Sequence, residues 1–102
     1  MVEKKNILNE GESARPDRNR AIQEIENFKE KVENACSDIR VFYITEDYTN
    51  LTFDFVKIEI FSIFSKDIPF DVIEEAKKFK QVLLYAIQPK EKKIILKGLI
   101  PK

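Results

Sequence analysis

Five side chains near the middle of the chain, Glu46, Asp47, Asp54, Lys57 and Glu59, are of the types that build divalent-cation sites and nucleases. Hard cations take carboxylate oxygens, and a nuclease of this kind sets an Asp on one strand and a Glu-x-Lys on the next. Here the order is Lys57-x-Glu59, the reverse. Two residues apart on a strand they share one face, where an ion pair is the ordinary outcome. No metal site and no catalytic residue is therefore expected from this group. The 102 residues contain no histidine, the side chain that supplies most general bases near neutral pH and is the commonest metal ligand. Ser-His and Cys-His nucleophile pairs are thereby excluded. Gly11 and Gly98, the only two glycines, stand too far apart to make a phosphate-cradling loop. Cys36 is alone, which excludes an internal disulfide, fits a reducing cytoplasm and reads as a small buried hydrophobe. The chain reads as a non-enzyme with no cofactor.

The remaining polar residues point to contact rather than catalysis. Arg15, Arg18 and Arg20, three of the four arginines, fall where the first helix begins. Cations there oppose the helix dipole, so helix stability does not explain them, and forked guanidinium groups suit phosphate or carboxylate. Lys90, Lys92 and Lys93 gather in a turn, as a lysine-protected hairpin edge or as a contact for phosphate or an acidic partner. Against nucleic acid stands the formal net charge of zero, which removes the global field that draws a protein to a polyanion or an anionic membrane. Glu10, Glu12 and Asp17 also dilute the arginine cluster. Tyr48, in a turn with Glu46 and Asp47, is a plausible exposed partner contact. Three Tyr and eight Phe suffice for base stacking on a sheet, yet the Gly-flanked aromatic motif of RNA-binding sheets is missing, and core packing accounts for most of them.

These residues must be positioned by a small number of elements. Residues 1–15 read as a flexible polar tail in which Ile7 and Leu8 are what a partner would grip, and residues 16–102 as a single α+β domain. Pro16 and Asp17 open a helix in which Ile22, Ile25, Phe28, Val32 and Ala35 recur at spacings of three and four. It ends near Ser37-Asp38. Ile39–Thr45 is β-branched and aromatic, and Glu46–Asn50 a turn with Asn50 a candidate for positive φ. The next strand, Leu51 to about Phe64, changes apolar phase, with Phe53 and Phe55 on one face and Val56, Ile58 and Ile60 on the other. A bulge near Phe55-Val56 would realign them; the alternative is a strand that packs its two faces on different neighbours. Pro69 opens a shorter helix with Ile68, Val72, Ile73, Ala76 and Phe79 as its stripe. Val82–Ile87 is a strand apolar on both faces, Gln88–Lys92 a turn, and Lys93 to about Leu99 a last strand in which Gly98 marks a bulge or an edge.

The order α-β-β-α-β-β gives a four-stranded, mainly antiparallel sheet with two helices, although the second helix leaves room for one parallel pairing. A sheet with one wet face alternates cleanly. These strands do not: Phe42 and Ile44 oppose Val41 and Tyr43, and all four are apolar or aromatic. Either the helices take one face each, or they share one face and a second copy covers the other. The expectation is a cytoplasmic, non-enzymatic protein-interaction module, a homodimer through the sheet or the long strand. The alternative is a nucleic-acid-associated protein using the arginine cluster and the lysine hairpin. No run of residues is apolar enough for a membrane span, and none is expected.

Overall fold

In a computed structural model, residues 17–49 and 52–102 are described. They form α1 (Arg18–Ala35), β1 (Ile39–Glu46), β2 (Phe53–Ser62), α2 (Phe70–Ala76), β3 (Leu83–Lys90) and β4 (Lys93–Pro101). The expected tail 1–15, with Ile7, Leu8 and Arg15, lies outside the described residues, as do Pro16, Asn50 and Leu51. Asp17 caps α1, its carboxylate accepting from the Arg20 N–H at 2.9 Å. Of the expected stripe, Ile25, Phe28 and Val32 are buried and Ile22 packs against the core, but Ala35 is exposed and Ala21 is buried instead. Cys36 is half-buried against the same core. No helix among the described residues is long and apolar enough to cross a membrane.

The strands make one sheet in the order β1-β2-β4-β3, with every neighbouring pair antiparallel. The expected antiparallel sheet is thus present, and the one parallel pairing that the second helix left room for does not occur. Because β4 returns between them, β2 and β3 are parallel but separated, joined by the α2 crossover. Nor is there a bulge at Phe55-Val56: β2 pairs without a break from Phe53 to Ser62. Its alternation is intact, and Val56, Ile58 and Ile60 face the helices while Phe53, Phe55 and Phe61 face away. The phase change is thus the trace of a strand apolar on both faces, one packed on the helices and the other without cover among the described residues. The turn expected over Gln88–Lys92 is only two residues long, with Lys92 at φ 69°. Pro89 sits within β3, tolerated because this is an edge strand whose outward backbone has no ladder to join.

The bulge that does exist lies in β3, between Leu84 and Ala86. It sits opposite Gly98, which is in an interior strand rather than at an edge. A Cβ on Gly98 would approach the Leu83 carbonyl oxygen to 2.9 Å and the Val82 side chain to 3.1 Å. Glycine here is a matter of room for the neighbouring strand.

Both helices pack on the same face. Ile25, Phe28 and Val32 from α1 and Val72 and Ala76 from α2 meet Val41, Ile58, Ile60, Leu96 and Ile100 in one apolar cluster. Glu24 fastens the layer. One of its oxygens accepts from the Lys80 N–H at 2.7 Å, the other from Gln81 and Val82 at 2.7 and 3.1 Å. The segment that leads from α2 into β3 is thereby tied to α1, and Phe28 and Phe79 pack beside it with ring centroids 5.2 Å apart. Glu24→Ala strands three amides at once and is expected to lower stability by about 2 kcal/mol, Glu24→Gln by about half of that. Gly98→Ala is expected to cost about 1–3 kcal/mol by overpacking the bulge. Urea denaturation monitored by circular dichroism measures both.

Candidate interaction surface

The face of the sheet turned away from the helices has no cover among the described residues. On β1 it presents Arg40, Phe42, Ile44 and Glu46, and on β2 Phe55, Lys57, Glu59 and Phe61, each opposite its register partner. The neighbours on β4 are Lys93, Ile95, Lys97 and Leu99, and β3 adds Leu83 and Tyr85. Phe42, Ile44, Leu83 and Tyr85 are 60, 56, 60 and 57% exposed. The aromatic rings gather at two ends. Phe42 stacks on Phe61 at one, with centroids 5.7 Å apart, and Phe55 meets Tyr48 and Tyr85 edge-on at the other, at 5.0 and 6.4 Å. Between them lies a shallow hollow of about 340 Å³ bordered by Ile44, Glu46, Phe55, Lys57, Tyr85 and Lys97.

Charge at the centre of this face is incompletely balanced within the fold. Lys57 and Lys97 are direct cross-strand partners, and like charges so placed repel. Among the described residues Glu59 relieves them, 3.6 Å from the Lys57 ammonium.

The sheet's edges are less available than its face. The expected long strand, β2, is interior and paired on both sides, so no dimer forms along it. On the β1 edge the Val41 N–H donates to Glu33 Oε2 at 2.9 Å, and its carbonyl accepts from the Lys29 ammonium at 3.2 Å. Two side chains of α1 thus occupy the outward backbone groups of Val41, which a further strand would use. Burial raises the Glu33 pKa, but the Lys29 ammonium and the Val41 N–H outweigh it, and the carboxyl titrates below its ordinary range. Pro89 and the bulge blunt the other edge.

The residues singled out from the sequence are separated by the fold. Glu46 and Tyr48 border the open face, Tyr48 through its contact with Phe55. Asp47 turns aside to the Lys102 ammonium at 2.6 Å. Asp54 and Glu59, candidates for one carboxylate site, lie on opposite faces of β2. Among the described residues no three His, Cys, Asp or Glu side chains come together as a metal site would require. Arg18 donates to Asp54 at 2.7 Å and to the Pro101 carbonyl at 3.2 Å, and Arg20 lies 3.3 Å from Asp17. Lys92 pairs with Asp67 at 3.2 Å, while Lys90 and Lys93 close the β3–β4 hairpin. Arg18 at Pro101 and the lysine turn at Lys93 mark opposite ends of β4, about 26 Å apart by strand rise. The fold does not join them into one basic site. The ion pair expected between Lys57 and Glu59 on one strand face is present at 3.6 Å; what sequence reading missed is Lys97 beside it, brought there by the β2–β4 register.

Asp54 is almost buried beneath this network, 8% exposed. Burial raises its pKa, but the Arg18 guanidinium, the Tyr48 N–H and the Lys102 ammonium outweigh that and hold the carboxyl below its ordinary range. A depressed carboxyl stabilises the fold above its unfolded pKa, and that stabilisation disappears as pH falls through the folded one. Asp54→Asn is therefore expected to be less stable than the natural chain near pH 6, and the gap closes as pH falls below the ordinary carboxylate range. Urea midpoints across that range check it; a gap independent of pH contradicts the ionic account.

No family model, no curated protein and no solved structure matches this chain.

Proposed function

We propose that this chain is a non-enzymatic protein-interaction module of the cytoplasm whose working surface is the open face of its sheet, and that a second copy of the chain occupies that face. The observation that carries the reading is the uncovered aromatic and aliphatic surface running from Phe42 and Phe61 to Phe55 and Tyr85. Apolar patches of this extent on a folded domain mark a contact surface. Its size suits a dimer. Four strands at about 4.8 Å spacing and nine residues at about 3.3 Å each give about 550 Å² in projection. Two such faces exceed the roughly 1,000 Å² that a specific interface needs. Both charge signs are present on the face, so one copy supplies what the other lacks.

A second reading has one observation in its favour. Exposed aromatics interleaved with Arg40, Lys57 and Lys97 on a sheet resemble the stacking platforms of single-stranded nucleic-acid binders. The Glu59 and Glu46 carboxylates on the same face weigh against a polyanion, and the rings pack on one another rather than standing apart for bases.

Light scattering on a sizing column is expected to give twice the chain mass at about 50 µM. Phe42→Arg and Tyr85→Arg, each placing an unpaired cation in the contact, are expected to weaken dimerisation by about 100-fold while leaving the circular dichroism spectrum unchanged. A monomeric natural chain at that concentration contradicts the dimer. Salt-sensitive binding of a labelled single-stranded oligonucleotide, lost in both variants, would establish the second reading instead.

A further inference from the structure

The order of residues along the open face carries more information than its hydrophobicity. Read along β1, the face is Arg40, Phe42, Ile44, Glu46: a cation, two apolar groups, an anion. Read along β2 in the same rows, it is Phe61, Glu59, Lys57, Phe55: apolar, anion, cation, apolar. Reversing either strand returns the same pattern with the charges exchanged. A surface with that property is complementary to itself under a rotation that reverses strand direction.

We infer that two copies pack face to face about a two-fold axis that crosses the strands midway between the Lys57 and Glu59 rows. The inference rests on the homodimer proposed above and specifies its geometry. A C2 contact must place residue i on residue j and j on i. This axis sets Lys57 of each copy on Glu59 of the other, and Glu46 of each on Arg40 of the other. Phe55 then lies on Phe61 of the second copy and Ile44 on its Phe42, so the Tyr48–Phe55–Tyr85 cluster of one protomer covers the Phe42–Phe61 stack of the next. Lys97, repelled by Lys57 within its own sheet, faces the row that holds Glu59 of the second copy. Face-packed sheets stand about 10 Å apart, a gap that a lysine and a glutamate reaching toward each other span. The competing axis, parallel to the strands, would lay Lys57 on Lys97 of the second copy and join like charges.

A mixing experiment with the full chain separates these cases. Lys57→Glu alone and Glu59→Lys alone each give a homodimer with two repelling pairs, and each is expected to dissociate at least about 100-fold more readily than the natural chain. Mixed in equal amounts, the two variants restore both pairs, and dimers containing one of each are expected to form within about tenfold of the natural affinity. Analytical ultracentrifugation with one variant labelled reads this directly. Arg40→Glu mixed with Glu46→Arg tests the outer pair in the same way, and circular dichroism confirms folding in every case. If the natural chain is dimeric but the mixture stays monomeric, or Lys57→Glu alone tightens the dimer, this axis is wrong while the open-face dimer stands. A monomeric natural chain overturns both.

Discussion

Helix α2 carries the chain from β2 to β3 across β4, and a crossover between parallel strands of one sheet has a strongly favoured hand. The face that α2 covers is thus set by the sheet rather than chosen by its own side chains. α1 is drawn to the same face, because Glu24 must reach the amides of Lys80, Gln81 and Val82, and Phe28 must reach Phe79. With both helices on one side, a sheet apolar on both sides keeps one face without a layer among the described residues. The energetic consequence is direct: at roughly 25 cal/mol per Å² of apolar surface, the uncovered face is where the largest unrealised stabilisation in the molecule lies.

That one-sidedness is matched by careful treatment of the edges. The ladder groups of Val41 are taken by Glu33 and Lys29, and β3 carries both a proline and a bulge. These are the devices by which a sheet avoids growing sideways. They make the exposure of Phe42, Ile44, Leu83 and Tyr85 harder to regard as accident, since the same chain closes its backbone edges while leaving its side-chain face open. An interaction through side chains of fixed register is specific in a way that strand addition is not, because a slip of one residue turns every side chain to the wrong face.

The parts of this architecture legible in the sequence were those with a short-range cause. Period, β-branching and the Asp17 cap disclose the helices and strands, and the doubled alternation of β1 and β2 discloses that both faces of the sheet are apolar. The phase change at Phe55-Val56 was legible but ambiguous, because a bulge and a two-faced strand leave the same trace in one strand; only the unbroken pairing with β1 and β4 separates them. The bulge at Leu84–Ala86 left no trace in its own strand, since Tyr85 is as apolar as its neighbours. Its cause lies across the ladder, in the space at Gly98. The roles of Arg18 and Asp54 were hidden for the same reason. Thirty-six residues separate them, and local reasoning about helix dipoles leaves Arg18 for an outside phosphate or acidic partner, whereas it pairs with a nearly buried carboxylate of its own chain.

Keeping Lys57, Glu59 and Lys97 at the centre of an otherwise apolar face has a cost and a use. Replacing a buried ion pair by well-packed apolar groups is often neutral or stabilising, so tight association alone would favour hydrophobic residues there. Charges in that position instead penalise every arrangement except those that pair them. An all-apolar face of this size would adhere to any similar surface in any rotation, whereas a cation and an anion one row apart on β2 permit few. They also keep the separated protomer hydrated while its face is bare. In the proposed dimer, affinity comes from the aromatic clusters at the two ends, and orientation from three charged side chains between them. The pair Arg40 and Glu46 repeats the same order of charges on β1, and the Arg40 guanidinium also donates to the Ser37 and Ile39 carbonyls at 2.7 and 2.8 Å.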